Sequence, residues 1–265
     1  MPTVTVDDHE LHYVASGEGP TVVFVGDLGF GAWAWSWQFP ALAGPYRAVV
    51  WDMRGVGRSS TPPAPDTIGA VTADLAGVVG AVGAQSIHLI GAGYGGAVAL
   101  EYARKHAHVR SLILVGTTAT GGEPAVDPVP LERAHAPPGD EAAIEETFSV
   151  LVSPEFLRQQ RDAIEWMVEQ RSVEDADTEA WRAHRRVYES IDCRDHLHEI
   201  TCPALVLHGA ADPIVAPTAG GALADGLPRG RFVEIDRASH LVWIERSRQV
   251  NDEIVGFLDA TAQID

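Results

Sequence analysis

The most constraining feature of this sequence is a regular alternation of short apolar runs with longer helical patterns. Eight runs have the length and the β-branched composition of strands. They are TVTV at 3–6, LHYVA at 11–15, TVVFV at 21–25, YRAVVW at 46–51, SIHLI at 86–90, SLILV at 111–115, ALVLH at 204–208 and RFVEI at 231–235. The later runs are apolar throughout, as strands are when both faces of a sheet are covered. The sequence therefore predicts an α/β fold with an eight-stranded, mostly parallel sheet.

Helical patterns fit between the later strands and complete this arrangement. They lie near residues 67–82, 94–106, 217–226 and 246–260. The first two strands are joined only by the polar turn Asp7-Asp8-His9, which predicts an antiparallel hairpin at one edge of the sheet. Ligands of such sheets bind at the carboxyl ends of the strands, so functional residues are expected there.

The alternation stops for about 85 residues before the strand at 204–208. This segment opens with a Gly- and Pro-rich stretch and continues with amphipathic helical patterns near 141–151, 154–171 and 175–190. A structureless loop of that length is implausible in a compact domain. We therefore predict a helical cap over the strand ends at 117–200, with residues 1–116 and 201–265 forming the core.

Charge restricts the partners of this chain. The 265 residues carry 37 acidic and 19 basic side chains, for a net charge of −18, and Lys105 is the only lysine. Such a charge repels nucleic acid and anionic membranes, so neither is expected as a partner. Dispersed acid with almost no lysine favours a protein from a high-salt cytoplasm, and a GC-rich genome is the alternative explanation. The N-terminus has neither a basic region nor an apolar signal core, so a cytoplasmic protein is expected.

Five motifs occur at the predicted strand ends, in a defined order. They are VGDLGFGAW after the third strand, WDMRGVGRS after the fourth, GAGYGG after the fifth, HGAADPIV after the cap and ASHLVWIE after the last strand. In this order the sequence resembles the α/β-hydrolase fold over nearly the whole chain. Within that family it is most similar to capped lactonases, esterases and carbon–carbon bond hydrolases that act on small molecules.

The resemblance implies a catalytic site, with one departure from the family. Asp212 stands where the family places the triad acid and His240 where it places the base. The nucleophile position in GAGYGG matches Gly93, which has no side chain, so a serine acyl-enzyme mechanism is not supported. The space left at Gly93 is expected to hold a water molecule or a ligand atom.

A second departure lies in the loop after the third strand, which reads Val25-Gly26-Asp27. The resemblance implies that the backbone N–H groups of Asp27 and Tyr94 form the oxyanion hole, with Gly26 and Leu28 beside them. A carboxylate there opposes negative charge. Either the Asp27 side chain turns away to solvent, or this is not an oxyanion site. Trp35 and Trp166 are expected in the core or on the wall of an apolar pocket.

Three functions are compatible with these residues. The first is an enzyme that acts on a small apolar molecule by non-covalent general-base chemistry through His240 and Asp212, by hydrolysis, elimination or isomerisation. The second is an inactive pseudo-enzyme that binds a ligand. The third is a serine esterase or lactonase in which residue 93 has been changed from Ser to Gly.

No cofactor and no metal are expected. GAGYGG does not fit the G-x-G-x-x-G dinucleotide motif, and the histidines do not show metal-ligand spacing. The expected partner is a small-molecule substrate or ligand, and a homo-oligomer is compatible with the sequence.

Overall fold

The computed structural model describes residues 2–61, 65–121 and 131–262, and its centre is one eight-stranded sheet. The strands are β1 Thr3–Val6, β2 His9–Ser16, β3 Thr21–Val25, β4 Arg47–Trp51, β5 Ile87–Ala92, β6 Val109–Val115, β7 Ala204–Gly209 and β8 Gly230–Ile235. Their order in the sheet is β1-β2-β4-β3-β5-β6-β7-β8. β2 pairs antiparallel with β1 and β4, and all other pairs are parallel. The predicted α/β-hydrolase fold is confirmed, including the edge hairpin.

The helices lie on both faces of the sheet and between β6 and β7. They are α1 Phe39–Leu42, α2 Ile68–Ala81, α3 Tyr94–Lys105, α4 Glu141–Leu151, α5 Pro154–Gln159, α6 Arg161–Glu174, α7 Thr178–Glu189, α8 Pro217–Gly226, α9 Val242–Glu245 and α10 Ser247–Ala262. Within the described parts of the chain, no helix combines the length and the hydropathy needed to cross a bilayer.

The hydrophobic core consists of two layers, one on each face of the sheet. Along β7, Ala204 and Val206 pack into the layer with α2, α3 and α8, whereas Leu205 and Leu207 pack into the layer with α1 and α10. All six residues of β7 are buried. This explains the continuous apolar run in the sequence, because a strand covered on both faces has no polar side.

We call the described residues between β6 and β7 the helical insertion. The single helix expected over 154–171 is two helices, because Gln160 leaves the helical region at φ −115° and ψ 49°. The helix expected from 175 begins at Thr178, since the Asp177 side chain accepts the N–H groups of Glu179 and Ala180 as a cap. Part of the Gly- and Pro-rich opening, 122–130, lies outside the described residues. The division into core and cap stays a prediction.

Candidate active site

The candidate site lies at the carboxyl ends of four parallel strands. Asp27 follows β3, Gly93 follows β5, Asp212 follows β7 and His240 follows β8. Carboxyl ends of parallel strands meet at one edge of the sheet, so residues far apart in sequence converge there. The structure brings all four together, and the three side chains are almost completely buried.

Asp212 holds one side of the His240 ring. His240 Nδ1 donates to Asp212 Oδ2 at 2.8 Å, and Asp212 Oδ1 accepts the backbone N–H groups of Ile214 and Val215 at 2.8 and 3.0 Å. A second imidazole, that of His208, lies 3.3 Å from Asp212 Oδ2. Burial opposes the charge of this carboxylate, but His240 and His208 outweigh it, and the pKa of Asp212 is well below its ordinary value.

Asp27 holds the other side of the same ring. His240 Nε2 donates to Asp27 Oδ2 at 3.0 Å, so the imidazole lies between two carboxylates. Burial alone lowers the pKa of His240, but Asp212 and Asp27 outweigh this effect and raise the pKa to about 10. At neutral pH His240 is therefore an imidazolium that donates from both nitrogens.

The second oxygen of Asp27 occupies a pair of backbone amides. Asp27 Oδ1 accepts the N–H groups of Leu28 at 2.7 Å and Tyr94 at 2.9 Å. Of the two alternatives for Asp27, the one in which its side chain turns to solvent is excluded, because its carboxylate is buried and hydrogen-bonded on both oxygens. The expectation that its own N–H forms the hole with Tyr94 is also corrected: the amide beside Tyr94 is that of Leu28. Gly26 contributes only backbone, and its carbonyl lies against Gly95 in α3.

Gly93 forms the turn between β5 and α3. Its φ of 48° and ψ of −117° lie in a region that side chains rarely adopt. A Cβ atom built on Gly93 would overlap the Asp27 carboxylate. The expected water or ligand atom is therefore replaced by Asp27, which fills the space that the missing side chain leaves.

Glu245 fixes the loop that carries His240, a role that the sequence analysis missed. Its two carboxylate oxygens accept the N–H groups of Ser239 at 2.7 Å and Ser153 at 2.9 Å. The Leu241 N–H also donates to a carbonyl of the helical insertion, 2.9 Å away at Leu151. The motif ASHLVWIE contains Glu245, but only the tertiary structure shows that this residue links the histidine loop to the insertion.

A small cavity of about 30 Å³ lies between these groups and the helical insertion. Its lining consists of Asp27, Leu28, Phe30, Gly93, Tyr94, Ala134, Leu151, Trp181, Tyr188, Ile214, Val215 and His240. Space of this size holds about one water molecule. Most of the wall is apolar, which fits an alkyl group better than a sugar or a nucleotide.

Tyr188 of α7 is the main polar residue of this wall that sequence reasoning missed. Burial raises the pKa of its hydroxyl, and the nearby Asp27 and Asp212 carboxylates raise it further, so the hydroxyl keeps its proton. The amphipathic pattern of α7 signalled an inward face. It did not signal which of its residues reaches the site.

Two tryptophans assigned to the pocket are absent from the lining that the described residues form. Trp35 packs in the core between Phe24 and Trp243, with ring centroids 5.1 and 5.6 Å away. Trp166 packs edge-on against Trp37, with centroids 5.2 Å apart. Of the two places expected for Trp35, the core is the one it occupies, since its side chain is buried in the cluster that also contains Phe24 and Trp243.

Known proteins of similar sequence carry the names of hydrolases. The chain is 26% identical to a putative carbamate hydrolase RutD of Azorhizobium caulinodans, over 97% of this chain and 98% of that protein. It is also 26% identical to a 2-hydroxy-6-oxo-6-phenylhexa-2,4-dienoate hydrolase of Comamonas testosteroni, over 96% of this chain and 92% of that protein.

The crystal structure of the enol-lactonase from Burkholderia xenovorans LB400 superposes with a TM-score of 0.86. The two chains are 28% identical, and the match covers 97% of this chain and 100% of the lactonase. The family model described as "Alpha/beta hydrolase family" matches residues 22–253, a span that contains all four residues of the candidate site. With the sheet order, the strand-end site and this match in agreement, the chain belongs to the alpha/beta hydrolase family.

Proposed function

We propose that this protein is an enzyme that acts on a small, mostly apolar molecule, with His240 and Asp212 moving the protons and no seryl ester formed. The observation that carries this proposal is the continuous hydrogen-bonded chain Asp212–His240–Asp27 beside a mostly apolar cavity. A buried chain of three ionisable groups is costly to maintain and is typical of a functional site. The similar hydrolases support the class of reaction and not the substrate.

The non-covalent general-base route expected from the sequence remains part of this proposal, with one added condition. As arranged, the Nε2 proton of His240 is held by Asp27, so His240 is an acid at neutral pH. It becomes a base once the negative charge of Asp27 is neutralised or withdrawn. A substrate or water molecule would then take the place of Asp27 at Nε2.

Ligand binding without catalysis is the second candidate. It is favoured by one observation: Asp27 fills the space beside Gly93 and uses both backbone amides. A serine hydrolase changed only at residue 93 is disfavoured, because a serine side chain there would overlap Asp27.

A substrate screen tests the proposed function. Short-chain esters, lactones, epoxides and haloalkanes would be offered to the unaltered protein and to His240→Gln and Asp212→Asn. We expect one class to be turned over, and each variant to lose about 10²-fold or more of the rate, as is usual when a positioned acid or base is removed.

The exposed His198 provides the matched control. His198→Gln removes an imidazole without touching the site and should keep the full rate. Turnover that survives His240→Gln would contradict the proposal. Saturable binding of a compound without turnover would establish the ligand-binding candidate instead.

A further inference from the structure

The placement of the Asp27 carboxylate is that of a reacting group. One oxygen, Oδ1, is fixed by two backbone N–H groups, and the other, Oδ2, is directed at the imidazole beside the cavity. We propose that Asp27 is the nucleophile of this site, supplied by the loop after β3 into the space that Gly93 leaves open after β5. This inference rests on the proposed function, which it deepens.

The backbone on both sides is adapted to this carboxylate. Gly93 has no Cβ and adopts a conformation that disfavours other residues, so the Asp27 rotamer has room only because residue 93 is glycine. The Gly93 N–H donates to the Val115 carbonyl at 2.9 Å and the Thr117 hydroxyl donates to the Gly93 carbonyl at 2.6 Å. The turn is thus held rigidly around the space that Asp27 enters.

The occupied amides indicate the kind of substrate. Because Leu28 and Tyr94 donate to Asp27 itself, these two amides do not stabilise a substrate carbonyl in the first step. The matching electrophile is a saturated carbon whose charge departs with a leaving group, such as an alkyl halide or a strained cyclic ether. Phe30, Ile214 and Val215 provide an apolar wall for the alkyl part.

The first step forms an ester on Asp27. A lone pair of Oδ2 bonds to the substrate carbon, the bond from that carbon to the leaving group breaks, and the leaving group departs with the electron pair. A ring oxygen that leaves in this way needs a proton. Tyr188 lines the same cavity, so its hydroxyl is the proton donor that the site offers to such an oxygen.

The ester changes the state of His240. Asp27 loses its negative charge, and with it one of the two carboxylates that stabilise the imidazolium. The pKa of His240 therefore falls and its Nε2 proton leaves, to solvent when a halide has departed and, by way of solvent, to the Tyr188 anion when a ring oxygen has taken the tyrosine proton. The group that is an acid in the resting site becomes the base of the loaded site.

The second step cleaves the ester with water. The water oxygen bonds to Asp27 Cγ and its proton passes to His240, while the electron pair moves to Oδ1, where the Leu28 and Tyr94 N–H groups stabilise it. The bond from Cγ to Oδ2 then breaks, and the product alcohol takes the proton from His240. The acid proton of Asp27 then passes to His240, which restores the carboxylate and the imidazolium of the resting site. One oxygen of the restored carboxylate comes from water.

Isotope labelling tests this origin directly on the unaltered protein. Excess enzyme would react with 1-bromobutane and with 1,2-epoxybutane in ¹⁸O-labelled water, and the peptide that contains Asp27 would be analysed by mass spectrometry. We expect one ¹⁸O atom on Asp27 after turnover. Product formed with ¹⁸O in the alcohol and none on Asp27 would overturn the inference and leave the non-covalent form of the proposed function intact.

Trapping provides a second, independent measurement. In His240→Gln the water step is blocked, so the same probes should add one alkyl group to the intact protein, located on Asp27. Adding Asp27→Asn should abolish the adduct, whereas adding Asp236→Asn, at an exposed aspartate, should not. Circular dichroism would establish that each variant is folded. If neither probe alkylates Asp27 or leaves ¹⁸O on it, the inference is overturned. The proposed function is overturned only if turnover is unaffected by the His240→Gln substitution.

Discussion

The carboxylate of Asp27 and a side chain at residue 93 cannot occupy this site together, because a Cβ atom on Gly93 would overlap Asp27. The two residues come from different loops, one after β3 and one after β5. The glycine leaves space at residue 93, and the charged carboxylate of Asp27 occupies that space. The two departures from the family pattern are thus one structural change.

The first prediction concerns the stability of this pair. Gly93→Ala should lower the free energy of unfolding by at least ~1–3 kcal/mol, the usual cost of a side chain in a disfavoured backbone region. Adding Asp27→Gly should recover the part of this stability loss that the overlap with the Asp27 side chain causes. Urea unfolding measures both. Gly256→Ala, on α10 with open space around it, is the matched control and should change stability by no more than ~1 kcal/mol. Equal effects at 93 and 256 would contradict the coupling.

The second prediction concerns restoration of a serine site. Gly93→Ser alone should stay inactive because the serine side chain and the Asp27 carboxylate compete for the same space. Gly93→Ser with Asp27→Gly frees this space and both amides, and should release p-nitrophenol from p-nitrophenyl acetate about 10²-fold faster than either single variant. Adding His240→Ala should abolish the gain. A double variant that folds but stays inert would show that the His240–Asp212 pair no longer supports acyl transfer.

The third prediction follows from the raised pKa of His240. Since its pKa is about 10 in the folded protein and 6.5 ordinarily, its contribution to stability is complete below pH 6.5 and is lost as the pH rises to about 10. The free energy of unfolding should therefore fall with pH across this window. His240→Gln should reduce the slope, and His198→Gln should not. A slope that His240→Gln leaves unchanged would assign the effect to other groups.

The fourth prediction concerns salt. With a net charge of −18, repulsion between surface carboxylates should lower stability in dilute buffer, and ions should screen it. The midpoint of thermal unfolding is therefore expected to be higher in molar potassium chloride than in dilute buffer. Scanning calorimetry at the two salt levels decides this. A midpoint that does not rise would leave genome composition as the explanation of the arginine preference.

The sequence by itself determined the architecture. The apolar runs predicted all eight strands, and the ends of β3 and β7 match the predicted runs to within one residue. The helical pattern near 217–226 likewise matches the ends of α8. Hydrophobic periodicity is a local property of the sequence, so it can be recognised without knowing which residues become neighbours in the fold. The positions of Asp212 and His240 after their strands could also be predicted, because the sequence shows where each apolar run ends. Gln160 shows the limit, since a one-residue break between helices has no comparable signal.

Only the tertiary structure decided what the site contains. The direction of the Asp27 side chain depends on the space at Gly93, 66 residues along the chain, and on the amides of Leu28 and Tyr94. No local pattern encodes such a choice, because a rotamer is selected by the neighbours that exclude it or bind it. The charge on His240 follows from the same contacts, since it requires two carboxylates from two different strands to meet one imidazole.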